Sequence, residues 1–138
     1  MAMTSRAVLE IDGARFDDLE GFWDEVSRAL IPGAYWGRNL DAFNDILRGG
    51  FGTPEGGFIL RWVQSERSKR VLGYAETVRW LERTITRCHP ANVPNFLSDL
   101  EEARAGHGPT LFDILVGIIR EHGKGGAESE EDVELQLA

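Results

Sequence analysis

Three short apolar runs set the frame of this chain. Residues 7–11 (AVLEI), 58–62 (FILRW) and 133–137 (VELQL) read as β-strands, and long stretches with helical spacing lie between them. Strands separated by helices imply parallel pairing and right-handed crossovers. The pattern predicts an α/β layer fold with a three-stranded parallel sheet and about six helices.

Local signals place those helices. Asp12-Gly13 stops the first strand, and Asp17 stands three residues before Glu20, an Asp-led capping pattern. Phe16, Leu19, Trp23, Val26 and Leu30 then recur on one face, up to Pro32-Gly33. Asn39 is a good cap for a second helix, whose buried stripe is Leu40, Phe43 and Leu47. After a glycine-rich loop (49–57) and the second strand comes a short basic helix over 65–72, closed by Gly73. A further helix is expected over 74–87, carrying Val78, Leu81 and Ile85. Pro90 and Pro94 bound an irregular connection, and Phe96, Leu97, Leu100 and Ala103 suggest a short helix after it. Pro109 fits the first turn of a strongly apolar last helix, which runs to about His122 and is expected to pack on the sheet. Residues 123–132 turn glycine-rich and then acidic, as in a flexible connection.

The 138 residues suit a single domain, long enough to bury roughly 70% of its unfolded surface. One cysteine leaves no internal disulfide and no Cys-rich metal site. The net charge of −8 disfavours a nucleic-acid partner, because phosphate contacts call for a basic face. The strongest apolar run, 114–119, is far short of the ~20 residues that span a membrane. No apolar run precedes Arg6, so no signal peptide is expected, and a cytoplasmic location is. The charge is uneven: net −5 over residues 1–60, +4 over 61–90 and −7 over 91–138. Acidic outer thirds favour a basic partner, although they also serve solubility.

Nothing in the sequence assembles a catalytic, metal or cofactor site. His89, His107 and His122 lack a second histidine one helical turn away. Cys88-His89 are adjacent in sequence, which does not usually bring a thiol and a base to one reacting atom; a structural cysteine and a helix-end histidine are expected. The glycine-rich loop lacks the spacing and lysine of a P-loop. The second helix offers more. Asp41 and Asp45 stack one turn apart with Arg48 on the same face, flanked by Tyr35, Trp36 and Phe51. Two readings stand at this point: a protein-binding surface with aromatic anchors, or a solvated helix face beside core aromatics.

Residues 35–47 (YWGRNLDAFNDIL) resemble the signature of the barstar family, intracellular inhibitors of the ribonuclease barnase. The shared frame is aromatic, aromatic, Gly, x, Asn, Leu, Asp, Ala, apolar, x, Asp, x, Leu. Residues 60–69 (LRWVQSERSK) resemble the family's second strand and following helix. The likeness covers residues 6–72 well and resumes weakly over the last helix and strand. It implies a barstar-like layer fold spanning 1–138, with 74–108 as a helical insertion before the last helix. It also implies a monomeric inhibitor or immunity protein that plugs the active site of a basic, barnase-like, guanyl-specific ribonuclease. A barstar-like module for a different toxin or regulatory partner is the alternative.

Carried over by position, Tyr35, Asp41 and Asp45 match contact residues, with Asp45 at a phosphate subsite, and Gly49 matches the glycine that closes the binding helix. Trp36, Arg38, Asn39, Ala42, Asn44 and Phe51 complete the candidate surface, and Glu121 matches, in looser register, a glutamate late in the last helix. The sequence departs from the family at Asn44, where barstar has tryptophan, and at Arg38, where it has an acid. Gly50 follows Gly49, which displaces the next aromatic to Phe51.

Overall fold

A computed structural model describes residues 6–127 and 132–138. Residues 1–5, where no leader is expected, and 128–131, inside the expected acidic connection, lie outside the described residues. The element order is β1 (Val8–Asp12), α1 (Leu19–Leu30), α2 (Leu40–Arg48), β2 (Gly57–Val63), α3 (Ser65–Val71), α4 (Tyr74–Ile85), α5 (Val93–Arg104), α6 (Leu111–Glu121) and β3 (Asp132–Leu137). Short 3₁₀ turns occupy Gly13–Arg15 and Pro90–Asn92. The sheet order is β1-β2-β3 and both pairings are parallel, with Ile11 opposite Trp62 and Leu60 opposite Leu135. The fold is therefore the α/β layer expected from the alternation of strands and helices.

Several boundaries move. α1 is capped by Asp18, whose carboxylate accepts the Gly21 N–H at 2.7 Å, and not by Asp17. Asp17 instead pairs with Arg67 of α3. Pro94 does not end an irregular connection. It sits in the first turn of α5, where a missing N–H costs nothing. α6 starts two residues after Pro109, at a capping box between Thr110 and Asp113.

An aromatic hub fills the space between the sheet and α1 and α2. Phe22 stacks on Trp62 of the central strand, with ring centroids 5.1 Å apart. It also meets Phe16, Trp23 and Phe43 edge-on at 5.4–5.6 Å. Leu111, Leu115 and Ile119 bury the face of α6 in the same core. One buried carboxylate ties α1 to the end of β1. Glu25 accepts the Asp12 N–H at 2.7 Å and pairs with Arg15 and Arg28. Burial alone would raise the pKa of Glu25, but bonds from Arg28 and the Asp12 N–H, with the Arg28 and Arg15 charges, bring it below the usual value.

α4 and α5 pack against each other around their own small cluster of Leu81, Leu100 and Ala103, with Val78, Ile85 and Phe96 beside it. This hairpin is anchored to the rest by polar contacts. The buried Glu76 of α4 accepts the N–H of Leu19, the first residue of α1, at 2.8 Å. That contact satisfies one of the orphan donors of the α1 terminus from a distant element. Thr77 Oγ1 likewise accepts the Leu111 N–H at the start of α6, at 2.8 Å.

Candidate protein-binding face

The face around α2 is built from the loop that precedes it. Leu30 and Ile31 are buried at the end of α1, and the chain then runs irregularly to Asn39. Trp36 turns inward and is only 6% exposed. Its indole N–H donates to Ser27 Oγ at 2.8 Å, and its ring meets Trp23 edge-on at 5.4 Å. A buried indole with its hydrogen bond satisfied is a fixed anchor for the loop. Its neighbour Tyr35 points the other way and is 98% exposed. Of the two aromatics expected at the surface, Tyr35 faces solvent and Trp36 belongs to the core.

Arg38 adopts a left-handed backbone, with φ at +54°, and its guanidinium bonds Asp24 of α1. That geometry brings Asn39 to the helix terminus, where its side chain accepts the Ala42 N–H at 2.8 Å. α2 then buries Phe43, Ile46 and Leu47 and leaves Asp41 and Asp45 exposed. Asp45 also bonds Arg48 at 3.2 Å, one turn on. The stacked carboxylates thus have a cation beside them that offsets part of their repulsion. Gly49 ends the helix at φ +102°, a conformation that favours glycine, and its N–H donates to the Ile46 carbonyl at 3.1 Å.

The remaining candidates divide. Ala42 is half-buried, and Phe51 is 40% exposed in the glycine-rich loop. Asn44 is half-buried and turned toward α6, with its Oδ1 2.7 Å from Nε2 of the buried His122. It serves as a strut between the two helices rather than as an outward contact. Glu121 is exposed one residue before His122, and its carboxylate accepts the Ala127 N–H at 3.1 Å. Of the candidates, Tyr35, Arg38, Asn39, Asp41, Asp45, Phe51 and Glu121 are exposed.

A groove of about 790 Å³ adjoins this set, between α1, the first turn of α2 and α4. Asp24, Arg38 and Asp41, from α1, the loop before α2 and its first turn, and Arg79, Arg83 and Arg87, from α4 and the turn after it, line it with Trp23, Leu40 and Trp80. The arginines were not part of the sequence-based surface, although the four-residue spacing puts Arg79 and Arg83 on one face of α4, with Arg87 in the turn beyond it. Glu20 crosses the groove wall and bonds both Arg79 and Arg83. Burial would raise the Glu20 carboxyl pKa, but bonds from Arg79, its own backbone N–H and Arg83 lower it to about 2.

A carboxylate with a depressed folded-state pKa stabilises the fold above its unfolded value of 4.5 and loses that contribution as pH falls toward 2. The melting temperature is therefore expected to fall across that window, and to fall less in Glu20→Gln. Because the Glu20 side chain is 49% exposed, water screens the pair and the difference is modest. Equal slopes in thermal melts of parent and variant between pH 4.5 and 2 would show that the Glu20 pairs add nothing.

Among the described residues, no three His, Cys, Asp or Glu side chains are grouped to hold a metal ion. No helix among them is long and apolar enough to cross a membrane. A family model described as Barstar (barnase inhibitor) matches residues 6–97 of the chain, from the approach to β1 into α5. No curated protein matches the sequence.

Proposed function

This chain belongs to the barstar family, and on that premise we propose that it is a proteinaceous ribonuclease inhibitor that blocks the enzyme by occupying its active site with α2. One observation carries the reading. Asp41 and Asp45 project from one exposed face of a helix held from behind by Phe43 and capped by Asn39, next to a fully exposed Tyr35.

The physical basis is charge mimicry. An enzyme that cleaves a polyanion lines its cleft with cations to bind phosphates. Two carboxylates on a rigid helix meet those cations with little ordering cost. Tyr35 supplies a large aromatic contact with few rotatable bonds to immobilise. The inhibitor itself performs no chemistry, and the groups that support this face are structural. The finer expectation is a cytoplasmic monomer acting as an immunity protein against a basic, guanyl-specific, barnase-like nuclease. The 74–108 hairpin is then an insertion within one barstar-like domain.

Titration calorimetry against a panel of such ribonucleases, at low and high salt, tests the proposal. The expected result is a tight one-to-one complex with at least one of them, weakened by salt as fits complementary charges. If no member of the panel binds, the ribonuclease target is wrong, and the same face has to be assigned to a different toxin or regulatory protein.

A further inference from the structure

The middle of the chain, residues 61–90, carries a net charge of +4, and the inhibitory contact of α2 uses none of it. The fold gathers three of those cations, Arg79, Arg83 and Arg87, along one wall of the groove beside α2. Their surroundings differ. Arg79 bonds Glu76 and Glu20, Arg83 bonds Glu20, and Arg38 bonds Asp24. Arg87 lies exposed in the turn after α4 and makes no ion pair with another described residue. Asp41 makes none either. Internal pairing thus accounts for the groove's charges except for one cation, Arg87, and one carboxylate, Asp41.

The wall that carries Arg87 is also held in place. Glu76 accepts the first N–H of α1, and Glu20 ties α1 to two arginines of α4. A groove fixed in this way needs little ordering when something enters it.

We propose that this groove is a second contact zone for the same protein partner, receiving a segment of the ribonuclease that carries a carboxylate for Arg87. The inference rests on the inhibitor reading of α2. Two features support it. Asp41 belongs both to the outer face of α2 and to the groove lining, so one partner can cover the two surfaces without a gap. The unpaired cation calls for an anion, and the continuity of the groove with α2 assigns that anion to the same protein partner, as a carboxylate. Such a contact selects among basic nucleases, because α2 reads the cationic cleft they share and Arg87 reads the acidic group at its rim.

The test compares the parent, Arg87→Glu and Asp45→Ala against the ribonuclease panel, together with titration of each protein by a labelled RNA oligonucleotide. Arg87→Glu is expected to weaken the complex about tenfold or more at low salt and less at high salt, as a reversed rim charge does. Its melting temperature is expected to match the parent's, and amide exchange in α4 is expected to slow on complex formation. Unchanged binding by Arg87→Glu alongside weakened binding by Asp45→Ala overturns the groove and leaves the inhibitor reading intact. Failure of the parent to bind any ribonuclease overturns both, since the occupant is part of that enzyme. RNA binding that is lost in Arg87→Glu also overturns the proposal, and makes the groove a nucleic-acid site.

Discussion

Asp45→Ala is expected to weaken binding to a basic ribonuclease severely while leaving the fold intact. In the unbound protein Asp45 is exposed and shares its charge with Arg48. If α2 fills the nuclease cleft as proposed, Asp45 is enclosed there against cations, and truncation leaves those cations facing a methyl group. Truncating one member of such a desolvated pair costs about 2–5 kcal/mol, a range informed by the barnase–barstar complex itself and so not independent of this family. That is roughly a 30-fold to several-thousand-fold loss of affinity. Stability is a different matter. Removing Asp45 loses an exposed one-turn ion pair of ~0.3–0.5 kcal/mol and also removes a repulsion from Asp41 of similar size. Calorimetric titration paired with thermal melting separates the two effects. Parent-like affinity in Asp45→Ala would mean that α2 is not the inhibitory element.

Phe43→Ala is expected to act in the opposite order, through stability first. Phe43 is fully buried on the inner face of α2, with its ring 5.6 Å from Phe22 and 5.8 Å from Trp23. Emptying a site enclosed by large aromatics leaves a cavity that rigid rings cannot close. The cost is about 3–5 kcal/mol, a large share of the roughly 5–15 kcal/mol that hold a domain together. The urea midpoint should fall with little change in slope. Binding should weaken as well, although no contact residue is altered, because α2 loses the ring that fixes its position. Phe43→Leu should recover most of both losses. An unchanged midpoint in Phe43→Ala would show that α2 draws its support from elsewhere.

Much of the architecture was legible because it depends on local signals. The one-turn recurrence of Leu19, Trp23, Val26 and Leu30 points the apolar side of α1 inward, and the two-residue period of 133–137 buries Val133 and half-buries Leu135, although Leu137 at the strand end is exposed. Asn39 announces the start of α2 through its own side-chain bond. The exposed pair Asp41 and Asp45 follows from the same helical geometry, once Phe43 and Leu47 face the core. Where two adjacent residues can serve one role, local spacing can pick the wrong one. The spacing to Glu20 pointed to Asp17, whereas Asp18 caps α1 and Asp17 pairs with Arg67.

The candidate surface shows the same division. Tyr35 and Trp36 are consecutive aromatics in a loop with no periodicity to orient them. Only the position of Ser27 and Trp23 beneath the loop puts Trp36 inside and leaves Tyr35 outside. Asn44 looks like a contact residue by position, yet His122, 78 residues away in sequence, takes its amide. Arg38 places a cation where the family has an acid, and Asp24 of α1 pairs with it. The sequence by itself determined the parallel α/β layering, the capped helix and the exposure of its two carboxylates, because each rests on contacts within one element or on the period of its side chains. Only the tertiary structure decided which aromatic faces solvent, which polar side chains are consumed as struts, and that the arginines of α4 stand beside the acidic helix. Those outcomes depend on which distant element covers a given face, and periodicity carries no information about that.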